Sequence, residues 1–375
     1  MTETMTTNEH RSILVVLIAG IGDLVLGSKA LRALRNGYPD RRIHLLTSTE
    51  AAPLARHYPY VDAVTAFPIR ELRKRTACLV DVWKILWALR ATTFDTAVNL
   101  YPVCSRAGAL KMGLLFMMLK ARTKVGHDNK GFGCFIDKCA PADMFSGRHR
   151  AEAMLETAVL AGGRPDDKGI EVFWDPASEE PWKHVVEPDA AGKRPPVVGI
   201  NPGGDRANRR WDPARYAAVA DGVAEAFGAR ILLFGGPGEE RIAQDIQSRM
   251  RHPATDLAGK LNLNELAYVV SRLDLLVTND SGPMHMAAAV NTPQVAIFGP
   301  EEPEHFRPYA PADSYVIMHK PMDCRPCRTA ACDHVSCLDK ITADEVLAAA
   351  KTLLMKRSPS FARMAMEGSA QIRPS

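Results

Sequence analysis

No stretch of the 375-residue sequence reaches the ~18–20 consecutive apolar residues of a transmembrane helix. The apolar run at residues 13–18 follows His10-Arg11 and superficially resembles a signal peptide. It is short, however, and ends in Ala19-Gly20-Ile21-Gly22-Asp23 with no small-residue cleavage pattern. It reads as a first β-strand, and the chain is expected to be cytoplasmic. There is no fixed-period repeat, so a solenoid is not indicated. No nucleic-acid-binding motif is present, and no nucleic-acid partner is expected. The glycine loop lacks the third glycine of the dinucleotide fingerprint, which argues against a Rossmann oxidoreductase. The eight cysteines do not suggest a disulfide scaffold, because a large intracellular protein keeps its thiols reduced. Cys78, Cys104, Cys134 and Cys139 are scattered, whereas Cys324, Cys327, Cys332 and Cys337 fall close together.

The length is too great for one ordinary core and suits two α/β domains with a short tail. Hydrophobic residues make up 46% of the chain and charged residues 24%, enough apolar material for two cores inside an ordinary polar surface. The net charge of +4 hides an asymmetry. Residues 1–150 hold 22 of the 47 Lys and Arg but only 12 of the 43 Asp and Glu. A basic first half suits an anionic partner such as a phosphorylated lipid or a membrane surface.

Strand, glycine loop and helix succeed one another from residue 13: a non-alternating strand at 13–18, a loop at 19–23, a helix at 24–36 stopped by Gly37 and Pro39, and a strand at 43–46. Helices are expected at 82–89, 107–121 and 151–160, with a strand at 96–100. The helix at 107–121 is apolar apart from Lys111 and Lys120 and is followed by Arg122, Lys124 and Lys130. It reads either as a core helix or as a membrane-contacting or acceptor-side surface. The Pro- and charge-rich stretch 175–196 is the expected linker, giving domains at 12–180 and 190–355. A second alternation follows. It has strands at 197–201, 231–234, 275–278 and 295–298, and helices at 213–227, 239–250, 262–270, 284–290 and 343–354. Asp212-Pro213 starts the first of these helices and Gly228 closes it. Two doubly wound parallel sheets follow from the pattern, with ligands beyond the carboxyl ends of the strands in an interdomain cleft.

Four loops carry candidate chemistry. In the first, Gly20 and Gly22 permit close backbone approach, and Asp23 at the loop tip serves either as a helix N-cap or as a general base that deprotonates a hydroxyl. In the second, Asp280, Ser281, Gly282 and His285 follow a strand and open a helix. Singly, Asp280 is an N-cap and His285 a core histidine; together they suit a diphosphate. The third contains Arg206, Arg209 and Arg210 after Asn201-Pro202-Gly203, either a phosphate clamp or a solvated basic loop. In the fourth, Glu239 and Glu240 follow Gly235–Gly238 and either bind ribose hydroxyls or complement the helix dipole. The cysteine cluster, C-x2-C-x4-C-x4-C, is read either as free thiols or as a structural metal site.

These residues resemble those of glycosyltransferase family nine, whose best-known members are ADP-heptose–lipopolysaccharide heptosyltransferases. The resemblance is carried most sharply by VTNDSGPMHMAAA at 277–289, Asn291-Thr292-Pro293 and Phe298-Gly299-Pro300. GIGDLVLGSKALRALRNGYPD near the start, Asn201-Pro202-Gly203, Arg209-Arg210-Trp211, Val125-Gly126 and His149-Arg150 add to it. It covers roughly residues 12–355. It implies a GT-B architecture, with the acceptor on the first Rossmann-like domain and the nucleotide-sugar donor, ADP-heptose in the best-known members, on the second. It also implies an inverting, metal-independent transfer to a lipopolysaccharide core or lipid-linked acceptor, without a cofactor; peripheral contact at the inner membrane is suggested by the basic first half instead. Asp23 falls on the family's general base, and Asp280, Ser281, Gly282 and His285 fall on its donor loop. Arg209 falls where many members have a phosphate-contacting lysine, and Lys29 where many have proline. A different nucleotide-sugar enzyme, such as an epimerase, and an inactive nucleotide-binding paralogue are the rival readings.

Overall fold

The computed structural model describes residues 12–73, 79–129, 131–140, 147–187, 195–324, 327, 332, 334–358, 360–361 and 364. Cys78, Lys130, the His10-Arg11 pair and part of the expected linker (188–194) lie outside the described residues. The chain divides into two compact units, the first ending at Ile170 and the second beginning at Glu171.

The first unit is built on six parallel strands: β1 Ser12–Leu17, β2 Arg42–Ser48, β3 Ala63–Phe67, β4 Thr93–Asn99, β5 Lys120–His127 and β6 Lys138–Ala140. They lie in the order β3-β2-β1-β4-β5-β6. Strand β1 is buried throughout, as its unbroken apolar run requires of a central parallel strand. On one face the helices Leu79–Ala91 and Arg106–Met118 pack Ile85, Leu86, Leu89, Met112, Leu115 and Phe116 against Leu14, Val16 and Phe94. The last residues of the expected helix at 107–121 instead begin β5, because Lys120 pairs with Thr93. The helices Ile21–Gly37 and Arg150–Leu160 also belong to this unit. Lys29 joins them by an ion pair to Glu152 at 2.9 Å.

The second unit repeats the plan with β7 Val197–Asn201, β8 Arg230–Leu233, β9 Ala254–Asp256, β10 Leu275–Asn279, β11 Gln294–Ile297 and β12 Tyr315–Met318. From one edge the order is β9-β8-β7-β10-β11-β12, all parallel, the same order as in the first sheet. In both sheets the order reverses beside the unit's first strand, at β1/β4 and at β7/β10. Ligands of doubly wound sheets bind at such switch points. The helix Pro213–Phe227 has the expected ends: the Asp212 carboxylate accepts from the Arg215 N–H, and Gly228 takes the left-handed conformation at φ 60°. Most of stretch 175–196 belongs to this unit by its packing. The Asp175 N–H donates to Asn264, and Trp174 lies against Tyr268 at 6.5 Å. No described helix is long and apolar enough to cross a membrane.

Candidate active site

The loop after β1 is shorter than the sequence suggests. The helix begins at Ile21, with Gly20 in the N-cap position at φ −72° and ψ 174°. Asp23 therefore sits in the first helical turn rather than at a loop tip, and it is not the N-cap. Gly22 lies within the same turn. Glycines suggested an open loop, but nothing prevents a glycine at the first positions of a helix from adopting helical angles. The Asp23 carboxylate is half-buried, its Oδ2 3.8 Å from the point where a Cβ on Gly20 would stand. It thus lies at the carboxyl end of β1, beside the switch point, where the positive end of the helix dipole favours its charge.

A polar cluster at the carboxyl ends of β4 and β5 was not singled out as a site by the sequence. Asn99, His127, Asn129, His149 and Arg150 are all buried there. His127 Nε2 pairs with Thr157 Oγ1 at 2.6 Å, and the Arg150 guanidinium lies over the Tyr101 ring at 5.3 Å. Burial and then the Arg150 charge push the His127 pKa down to about 4, so this ring is neutral at physiological pH. The cluster's signals in the sequence were Val125-Gly126, just before His127, and His149-Arg150, both noted only for the family resemblance.

In the second unit, loops from four adjacent strands converge. Asn279, at the end of β10, donates to the carbonyls of Pro202 and Gly203 at 2.7 and 3.2 Å. It also accepts from the Trp211 N–H and the Tyr216 hydroxyl. Trp211 is itself buried, its indole N–H donating to the Ile341 carbonyl. The arginine loop after β7 is therefore pinned at both ends. Asn201 links β7 to the next loop through Thr278 at 2.8 Å and Ser281 at 3.0 Å.

The helix after β10 runs Gly282–Ala289, two residues earlier than expected, with Ser281 in the N-cap position. No side chain caps it, because the Ser281 hydroxyl is engaged by Asn201 and the Asn279 carbonyl. Asp280 lies before the cap and is not an N-cap. His285 is buried in the first turns. An uncapped helix start with glycine at its first position is suited to an anion.

Arg209 lies against this helix start. Its guanidinium is 3.5 Å from Asp280 and 2.5 Å from Glu301, which also binds Arg206 at 2.5 Å. Arg206 and Arg209 are thus ion-paired rather than solvated. Burial works against the Arg209 charge, but Asp280, Glu301 and Asp205 outweigh it and hold its pKa up. Burial raises the Asp280 carboxyl to about 6, with Arg209 opposing and Glu301 reinforcing the rise. Glu301, on the loop after β11, was missed in the sequence. It stands just past Phe298-Gly299-Pro300, and ion pairing to a distant loop leaves no local pattern.

Glu239 bridges two loops rather than facing outward. Its carboxylate accepts from the N–H groups of Gly204 at 2.9 Å and Gly236 at 2.8 Å, and pairs with Arg210 at 3.5 Å. A Cβ on Gly203 would fall 2.2 Å from its Oε2, so a side chain there would displace the Glu239 carboxylate. Glu240 accepts from the Gly238 N–H at 3.1 Å. Both carboxylates are committed to loop structure. Cys324, Cys327, Cys332 and Cys337 line one small cavity with His334, beside Asn208 and Pro300. Cys324, Cys332 and Cys337 are free thiols. No group of described His, Cys, Asp or Glu side chains stands at metal-binding geometry.

Comparison with known proteins agrees with this arrangement. The family model for glycosyltransferase family 9 (heptosyltransferase) matches residues 82–336. Lipooligosaccharide heptosyltransferase 2 of Haemophilus influenzae is 37% identical over 313 residues, covering 79% of this chain and 86% of the relative. Lipopolysaccharide heptosyltransferase 3 of Escherichia coli is 27% identical over 295 residues, covering 77% and 84%. The structure of the E. coli ADP-heptose lps heptosyltransferase II superposes with a TM-score of 0.72 at 20% identity, over 92% of this chain and 99% of that one, and carries the GT-B fold. The chain belongs to glycosyltransferase family 9, the heptosyltransferase family, and is a glycosyltransferase.

Proposed function

We propose that this enzyme transfers a heptose from ADP-heptose to a hydroxyl of a lipopolysaccharide-core acceptor, with inversion at the anomeric carbon. The observation that carries this reading is the convergence of Arg209 and the uncapped helix start at Ser281-Gly282 beyond the switch point of the second sheet. The diphosphate is received there, with Arg209 exchanging part of its pairing with Glu301 and Asp280 for phosphate oxygens. Asp280 and His285 line the same loop. In the first unit, Asp23 takes the proton of the acceptor hydroxyl as its oxygen attacks the anomeric carbon. The bond from that carbon to the diphosphate breaks, and the nucleoside diphosphate leaves with the electron pair. Arginine and the helix dipole offset its charge, the part a divalent cation plays in other transferases. Two relatives are named for transfer of heptose to lipopolysaccharide and lipooligosaccharide, which supports the donor and acceptor classes. The basic first half supports a peripheral protein on the inner face of the membrane.

The reading is tested by melting temperatures with ADP, UDP, GDP and CMP at equal concentration. A ligand at 100 times its Kd adds about 2.7 kcal/mol of stability. Selective stabilisation by ADP, followed by heptose transfer from ADP-heptose to a truncated lipopolysaccharide in the presence of EDTA, is the expected result. Preference for another nucleotide overturns the donor assignment. Consumption of donor without acceptor points to an epimerase instead.

A further inference from the structure

Two neighbouring helices of the first unit are apolar on both faces. Leu79–Ala91 and Arg106–Met118 bury one row of side chains against the sheet. The opposite rows, Val80, Trp83 and Trp87 on the first and Leu110, Leu114 and Met117 on the second, are exposed, at the i, i+3/i+4, i+7 spacing of a helix face. With Leu79 they make up seven of the eleven large hydrophobic side chains exposed among the described residues. Trp83 and Trp87, 56% and 57% exposed, stand edge to face 6.3 Å apart. A helix that is hydrophobic all round belongs in an apolar phase, and here half of each lies outside the protein core. A patch this concentrated marks an interaction surface.

The charges around it select the partner. Lys84, Arg90, Arg106 and Lys111 on the two helices, followed by Lys120 and Arg122, are exposed. Asp81 is the only acidic residue on either helix, and it stands 4.0 Å from Lys84. Tryptophan beside leucine and methionine, rimmed by lysine and arginine, matches the boundary between acyl chains and anionic headgroups. We propose that this face docks on an anionic lipid bilayer, with Trp83, Trp87, Leu110, Leu114 and Met117 entering the headgroup–acyl boundary and the basic side chains meeting phosphate. The inference deepens the reading of a peripheral, lipid-linked acceptor enzyme and gives that contact its residues. Six residues separate the carboxyl end of β4 from the start of the helix Arg106–Met118, next to the switch point occupied by Asp23. An acceptor anchored in the bilayer would thereby be presented close to that end of the sheet.

Sedimentation of the full chain with vesicles tests this without donor or acceptor, so it succeeds or fails independently of heptose transfer. The vesicles are phosphatidylcholine alone or a mixture of phosphatidylcholine and phosphatidylglycerol. Binding is expected to the mixed vesicles and to weaken with salt. The pair Trp83→Ala and Trp87→Ala is expected to weaken it by about tenfold or more. Lys84→Glu with Lys111→Glu weakens it by about fivefold or more per site. In Leu110→Ser/Leu114→Ser the tryptophans remain as reporters, and the blue shift of their emission on vesicle addition should disappear. Met355→Ser, an exposed apolar residue of the second unit, should change nothing. An unchanged cooperative melting transition shows that each variant is folded. The proposal is overturned if the wild type stays in the supernatant with every vesicle, or if the tryptophan pair binds as the wild type does. It is also overturned if sedimentation velocity shows a dimer that the same substitutions dissolve, for then a second copy of the chain covers the face.

Discussion

The two units repeat one strand order, yet their switch points are furnished in opposite ways. Beyond β1 there are three residues before the next helix, and the only charge in that loop and the first helical turn is the carboxylate of Asp23. Beyond β7 there are eleven residues before the next long helix, and they hold Arg206, Arg209 and Arg210 against carboxylates from three other loops. The sheet supplies a position, while loop length and side-chain charge decide what is done there. A short loop leaves a carboxylate at a helix start, suited to moving a proton. A long one, pinned by Asn279 and Trp211, builds an ion-paired cradle suited to a diphosphate.

The largest expected effect breaks the comparison on the first side. Asp23→Ala should lower kcat by roughly 10²–10⁴, the usual contribution of a general base. Steady-state transfer assays check this, and a fall of less than tenfold removes Asp23 from the chemistry. On the second side, Arg209→Ala should weaken ADP binding by about 10–100-fold, the cost of a charge-assisted hydrogen bond, read by titration calorimetry. Arg209→Lys should recover part of the loss, since it keeps the charge without the fork. Glu239→Ala strips an acceptor from two backbone N–H groups. It should cost about 1–2 kcal/mol in chemical denaturation, since the Gly236 N–H is exposed and water can replace its partner. Loss of ADP affinity with stability intact would mean instead that Glu239 touches the nucleotide.

The smallest effect concerns pH. The Asp280 carboxyl is raised to about 6 in the folded protein against an ordinary value near 4. The native state therefore keeps a proton that the unfolded chain has released, and the stability this gives is lost as pH rises from about 4 to 6. Melting temperatures between pH 4 and 7.5 should slope less for Asp280→Asn than for the wild type; parallel slopes would remove Asp280 as the cause.

Much of this was legible because parallel strands are continuous apolar runs closed by glycine loops. β7 and the helix with Asp212 and Gly228 at its ends fall where the pattern places them. The edge strands β6 and β9 have three residues each and are partly exposed, so no apolar run marks them. The helix at Ile21 was read as starting late because glycine suggests a loop, while the chain simply continues helical through Gly22. Asp280 and Arg209 were visible in their motifs. Their partner Glu301 was not, because pairing between residues 92 positions apart is a product of the fold. The outward row of Trp83 and Trp87 escaped notice for a related reason. Periodicity reveals an apolar face, but only packing shows which face is left uncovered.

The division of labour between the units is tested most directly by measuring ADP affinity side by side in Asp23→Ala and Arg209→Ala. The account predicts a Kd within about twofold of wild type for the first and at least about tenfold weaker for the second. Equal loss in both, or loss in Asp23→Ala alone, would contradict it, since nucleotide would then be held by the loop assigned to the proton.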